Sequence, residues 1–170
     1  MLMPVDFFRI ASVVLIKRTE RGMNPVTTLV LLADESKARL LENRGVNKGL
    51  TQIGVVDAAD FEDTHVRYAD TPGRSRSAAN AAAHAVDRPT SERAQNRNNF
   101  ARHVVQAAET LWAKGSFDRF VMAAPPNMLG AVRQSLDGAL ADNLAFDLSK
   151  DLINIPLKKL PAHFDDQIVF

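Results

Sequence analysis

The sequence predicts an α/β fold: a mixed five-stranded sheet in which a three-strand antiparallel meander precedes a helix, a strand, a second helix and a last strand. Three observations carry that expectation. Residues 27–33, 50–56 and 117–124 are short apolar, partly β-branched runs bounded by turn residues, which is how strands read. Residues 100–111 switch to helical spacing. Between these halves, from about residue 57 to 90, neither period is present and Ala, Ser, Asn, Arg and Pro dominate.

The first core strand is Thr27-Thr28-Leu29-Val30-Leu31-Leu32-Ala33, a continuous apolar run of the kind a sheet buries on both faces. Asp34-Glu35-Ser36-Lys37 is a polar turn, so Ala38-Arg39-Leu40-Leu41-Glu42-Asn43 returns antiparallel as the second strand. Arg44-Gly45-Val46-Asn47-Lys48-Gly49 breaks the chain again before a third strand over residues 50–56. The long basic loop at about 57–90 holds the breakers Thr71-Pro72-Gly73 and Arg88-Pro89; a loop of that length in a compact domain is usually functional or disordered.

Thr90, after Pro89, reads as the N-cap of the first long helix, with Glu92 in its first turn, where a carboxylate favours the helix dipole. Phe100, Val104, Ala107 and Leu111 recur at spacings of four, three and four and so share a face, and Lys114-Gly115 ends the helix. Residues 117–124 form the fourth strand, stopped by Pro125-Pro126 because proline cannot donate to a ladder. A second helix turns Met128 or Leu129, Val132, Leu136 and Leu140 to the core and ends near Asn143. Residues 145–149 give the fifth strand and residues 157–164 a short closing helix after Pro156. A meander followed by right-handed crossovers makes one mixed sheet with helices on its faces, the topology of ribonuclease-H-like folds.

Composition narrows the function. At 170 residues one core suffices. A net charge of +1, from 21 basic and 20 acidic residues, excludes a surface coated all over for nucleic acid, so any basic surface is local. The absence of cysteine excludes disulfides, iron–sulfur clusters, thiolate nucleophiles and cysteine-bound zinc. Residues 7–16 are apolar, but Asp6 precedes them and Lys17, Arg18, Glu20 and Arg21 follow, the reverse of a secretory signal. The run is also shorter than the roughly 20 residues of a membrane span. A cytoplasmic protein without a membrane span is expected. Met23, followed by Asn24-Pro25, opens a cleaner start. Residues 1–22 are therefore expected to be a dispensable N-terminal extension or an upstream start, and residues 23–170 the single domain.

Five strings, taken in order, resemble the host attachment protein family, within the wider group of bacterial relatives of archaeal and eukaryotic class-1 peptide-chain release factors. They are Leu31-Leu32-Ala33-Asp34-Glu35-Ser36-Lys37-Ala38-Arg39 with Glu42-Asn43-Arg44-Gly45; Thr71-Pro72-Gly73-Arg74-Ser75; Phe100-Ala101; Phe117-Asp118-Arg119 with Ala124-Pro125-Pro126; and Ser149-Lys150-Asp151-Leu152 leading to Leu160-Pro161-Ala162-His163. The resemblance implies the fold of the central domain of class-1 release factors, which is ribonuclease-H-like, and points to ribosomes or RNA. The family name implies a direct or indirect role in bacterial attachment to host cells, although the chain shows no export signal. Release factors that hydrolyse peptidyl-tRNA use a Gly-Gly-Gln loop; this sequence has no Gly-Gly pair, so that activity does not carry over.

Residues 67–102 hold seven arginines, at 67, 74, 76, 88, 93, 97 and 102, against Asp70, Asp87 and Glu92, a local charge of +4. The arginine fork matches phosphate oxygens, and a basic loop running into a helix start can clamp a nucleic-acid backbone or another anion. The competing reading is a solvated loop. Tyr68 is the one aromatic platform before Phe100, which favours backbone contact over base stacking. Arg74, Arg76, Arg88 and Arg93 are the candidate binding residues, with Lys150 and Asp151, a family-like pair after the fifth strand that is otherwise a surface turn.

No catalytic residues, metal ligands or cofactor are expected. His65, His84, His103 and His163 lack paired metal-ligand spacing, and neither a serine elbow nor a phosphate loop is present. A two-metal nuclease needs converging carboxylates; Asp34 reads as a turn former and Glu109 as a solvated helix residue, while the fourth strand ends in Ala-Ala-Pro-Pro. The sequence thus reads as a non-catalytic domain binding a macromolecular partner, ribosome or RNA, through the arginine-rich loop. Its rivals are a hydrolase or nuclease on a nucleic-acid or aminoacyl substrate, and an attachment role.

Overall fold

The structure, a computed structural model, describes residues 25–64 and 88–170. The five expected strands are present: β1 Thr28–Ala33, β2 Lys37–Asn43, β3 Thr51–Asp57, β4 Arg119–Ala123 and β5 Leu144–Leu148. They form one open mixed sheet in the order β3-β2-β1-β4-β5. β1 and β2 are antiparallel with Val30 opposite Leu41, β2 and β3 are antiparallel, and β1 runs parallel to β4, as β4 does to β5. The ends of β1, β3, β4 and β5 and the start of β2 consequently share one edge of the sheet, its carboxyl edge.

β1 is central because every one of its residues is buried. Pleating sends Leu29, Leu31 and Ala33 to one face and Val30 and Leu32 to the other. The first face packs against helices α1, Arg88–Lys114, α2, Pro126–Ser135, and α3, Gly138–Asp142, with Phe100, Val104, Ala108, Met128, Val132 and Leu140 in the shared core. Burying each such large side chain stabilises the fold by roughly 1.5–3 kcal/mol.

The second face departs from expectation. Among the described residues no α-helix covers it; instead the segment after β5 lays Leu152, Ile153, Leu160, Phe164, Ile168 and Phe170 over Val30, Leu32, Leu41, Val121 and Ala123. The closing helix expected over residues 157–164 is two 3₁₀ turns, Leu157–Lys159 and Pro161–His163. Pro161 lacks the amide that a continuous α-helix would need there. Arg39 fastens this layer to the sheet: its Nη1 donates to the carbonyls of Ile153 (3.0 Å) and Ile155 (2.9 Å), and its Nε to Gln52 Oε1 (2.8 Å).

Two helix boundaries also differ. α1 opens at Arg88, so Thr90 lies inside it and is not the N-cap, and Glu92 falls beyond the first turn. Pro89 is accommodated because amides of the first turn have no intrahelical acceptor in any case. The expected single second helix is broken into α2 and α3. Leu136 and Asp137 are extended (ψ 132° and 163°), and Gly138 takes φ +52°, a conformation that favours glycine.

Candidate functional site

The polar turn between β1 and β2 is built by Asp34. Its Oδ1 accepts from Ser36 N (2.7 Å), Lys37 N (2.6 Å) and Ser36 Oγ (2.9 Å), which makes it the turn former its position implies. The folded turn presents Glu35 to α1, where its carboxylate accepts from Arg93 Nε at 2.7 Å and Arg97 Nη1 at 3.1 Å. Burial works to raise the Glu35 carboxyl, but the hydrogen bonds and charges of Arg93 and Arg97 outweigh it and hold the group below the usual glutamate value. Arg97 Nε is buried without a partner.

Beside this cluster lies a cleft of about 460 Å³ lined by Asp34, Glu35, Ser36, Arg93, Pro125, Pro126 and Asn127. It sits at the carboxyl ends of the neighbouring parallel strands β1 and β4, whose onward connections leave in opposite directions, to β2 and to α2. In open α/β sheets such a switch point is where ligands bind. Pro125 and Pro126 end β4 and start α2, so the first turn of that helix faces the cleft, with its early amides lacking intrahelical acceptors.

Of the residues singled out from sequence, Arg93 lines this cleft, and Lys150 and Asp151 follow β5 at the same sheet edge. Asp151 Oδ1 accepts from Ile153 N (3.2 Å) and so forms a turn. Lys150 is exposed, and its backbone N donates to Leu148 O (2.9 Å). Arg74 and Arg76 lie outside the described residues, as do Arg67, Tyr68, His65 and His84; Arg88 contributes the opening backbone of α1. Arg102 bonds Asn99 on its own helix.

A second anchor lies where the described chain breaks off after Thr64. His103 on α1 stacks on Phe61 (ring centroids 3.8 Å apart, planes 9° apart), and its Nε2 lies 2.8 Å from Asp63 Oδ1. Asn99 Nδ2 donates to the Asp63 carbonyl (2.7 Å). The described residues thus stop beside α1 at Thr64 and resume at Arg88, the first residue of the same helix. Sequence reasoning missed both Glu35 and this anchor. The four-residue spacing of Arg93 and Arg97, which sets them on one helix face, was the available signal for the first.

Among the described residues, no group of three or more His, Asp or Glu side chains is placed to hold a metal ion. Among the described residues, no helix is long and apolar enough to cross a membrane.

No curated protein matches the chain. A family model does: residues 27–163 match the bacterial archaeo-eukaryotic release factor family 12. The matched residues take in all five strands and all three helices described above, from the first core strand to the last 3₁₀ turn. The chain therefore belongs to the bacterial archaeo-eukaryotic release factor family 12.

Proposed function

We propose that this protein is a non-catalytic, cytoplasmic relative of release factors that binds the ribosome or RNA through the arginines of residues 67–102. The observation that supports the reading is that α1, which follows the arginine-rich residues in sequence, carries Arg93 at the switch-point cleft, in a chain of a release-factor family. The strand order, with an antiparallel second strand, supports the ribonuclease-H-like topology of the release-factor central domain.

The chemistry is backbone recognition. Arginine forks pair with phosphate oxygens, and each phosphate neutralised releases counterions, so affinity comes from charge and falls with salt. Glu35 and Asp34 together offset the two charges of Arg93 and Arg97, leaving the cleft close to neutral. Arg74, Arg76 and Arg88 are therefore the stronger candidates, with Arg93, Lys150 and Asp151 at the rim. Peptide release is not part of this proposal, since the sequence has no Gly-Gly pair. A nuclease reading is disfavoured because Asp34 serves its turn and Glu35 its arginines.

The experiment is co-sedimentation with ribosomes across a salt series. The parent chain associates, with an affinity that falls steeply as salt rises. Replacing Arg74, Arg76 and Arg88 together by Ala abolishes association at the salt concentrations where the parent binds. A triple variant that sediments like the parent rules the loop out. Cell fractionation tests the cytoplasmic location, and recovery at the cell surface would favour the attachment reading instead.

A further inference from the structure

The switch-point cleft carries unpaired groups of two opposite kinds. Arg93 spends only its Nε on Glu35, at 2.7 Å, so both terminal nitrogens of the guanidinium are without a partner among the described residues. Leu129 N, donating to Pro125 O at 2.8 Å, makes the first bond of α2. The amides of Asn127 and Met128 ahead of it have no acceptor among the described residues, as the first turn of a helix dictates. These are donors waiting for an oxyanion.

Asp34 supplies the other kind. Its Oδ1 takes all three bonds of the turn, from Ser36 N, Ser36 Oγ and Lys37 N, which leaves Oδ2 accepting nothing among the described residues. Asp34, Arg93 and Asn127 line the same cleft, whose volume of about 460 Å³ lies in the usual range of small-ligand pockets. The site thus offers a cation and amides to an oxyanion and, beside them, a carboxylate oxygen to a hydroxyl. A bare anion meets only the first half of that demand and is repelled by Asp34. A sugar phosphate meets both halves.

We infer that the cleft binds a ribose phosphate, with the phosphate on the Arg93 guanidinium and the first amides of α2 and a ribose hydroxyl donating to Asp34 Oδ2. Arginine forks and helix starts both suit phosphate oxygens, and at the switch point of an open α/β sheet an acid that accepts from the ribose completes such a site. Because the charges of Asp34 and Glu35 stand against those of Arg93 and Arg97, a monophosphate is preferred to a triphosphate, whose added charge these acids oppose. No aromatic side chain lines the cleft, so ligands that differ only in base bind alike. The inference deepens the proposed function, since Arg93 serves both, and a free nucleoside monophosphate and the 3′ end of an RNA strand share the chemistry it names.

Calorimetric titration of the full chain with ribose 5-phosphate is the test. It binds saturably and about ten-fold tighter than inorganic phosphate, the gain expected of one hydrogen bond to a charged acceptor. Arg93→Ala lowers the affinity for both ligands by about ten-fold, whereas Asp34→Asn lowers it for ribose 5-phosphate alone. Asparagine keeps the Oδ1 that builds the turn and replaces only Oδ2, and an unchanged thermal midpoint verifies that the fold is kept. Ribose 5-phosphate that binds no tighter than inorganic phosphate overturns the inference, as does an Asp34→Asn chain that binds it like the parent. Competition identifies the source: displacement by AMP and UMP alone assigns the cleft to free nucleotides, displacement by a short RNA with a free 3′ end but not by the same strand ending in a 3′-phosphate assigns it to RNA, and displacement by none of them overturns it. The chain with Arg74, Arg76 and Arg88 replaced by Ala still binds ribose 5-phosphate, so failure of the cleft and failure of the ribosome reading are seen separately.

Discussion

Glu35 and Arg97, 62 residues apart, meet at 3.1 Å across the top of the sheet, and the same carboxylate takes Arg93 at 2.7 Å. One acid on a four-residue turn thus fixes the start of α1 and restrains half of the positive charge beside the cleft.

Glu35→Gln separates structure from function at this point. Both arginines are then freed of their counter-charge. The loss of stability is small, at most about 1 kcal/mol, because Arg93 is 75% exposed and solvent screens the pair. Association with ribosomes or RNA strengthens a few-fold at low salt, read by the sedimentation assay. Unchanged or weaker binding would show that this edge does not face the anion.

Acid tests the same pair by stability. Because the folded-state pKa of Glu35 lies below its ordinary value, its contribution is complete above the unfolded glutamate value of about 4.3 and disappears as pH falls through the folded value. Parent and Glu35→Gln chains should therefore differ in thermal midpoint near neutrality and converge below that pH. A constant difference across the range would place the effect outside the ion pair.

Arg39→Ala removes the clamp between sheet and C-terminal layer. It deletes donors to the Ile153 and Ile155 carbonyls, and charge-assisted bonds of this kind contribute roughly 1.5–3 kcal/mol. The expected signature is a lower denaturant midpoint together with early proteolysis after β5. Arg39→Lys should restore little, since a single ammonium does not reproduce a fork that reaches both carbonyls and Gln52.

Phe164→Ala measures whether that layer is core or decoration. Phe164 is fully buried, with Phe146 at 6.2 Å and Phe170 at 5.3 Å between ring centroids. Truncation costs about 3–5 kcal/mol by the usual range for buried aromatics. A cost near zero would mean that the 3₁₀ segment is peripheral to folding.

The loop after β2 gives a graded pair. Gly45 takes φ +125°, and a Cβ there would lie 2.8 Å from that of Pro25, whereas Gly138, at φ +52°, has open space. Gly138→Ala costs about 1 kcal/mol for its backbone alone. Gly45→Ala costs more, and its excess over Gly138→Ala in chemical denaturation measures the clash. Equal costs would show that the residue 25 backbone yields freely.

Five strands and the long helix were legible because their signal is local: β1 is continuously apolar, and Phe100, Val104 and Leu111 repeat at helical spacing whatever surrounds them. The turn role of Asp34 was legible for the same reason, since its acceptors lie two and three residues away. The break between α2 and α3 was missed because the apolar stripe runs on through Leu136 and Leu140; only the extended Leu136–Asp137 backbone and the positive φ of Gly138 reveal it.

What the sequence determined by itself was therefore the five strands and the long helix, their order and the charge of the segment between β3 and α1, all consequences of nearest-neighbour chemistry. What only the tertiary structure decided was which residues from distant elements meet. Glu35 with Arg93 and Arg97, Phe61 and Asp63 with His103, and Arg39 with Ile153 are separated by 40 to 114 residues, and no local periodicity encodes such pairs. Closing the sheet in the order β3-β2-β1-β4-β5 creates them, because it brings the ends of four strands to one edge and leaves the second face for the C-terminal chain to bury.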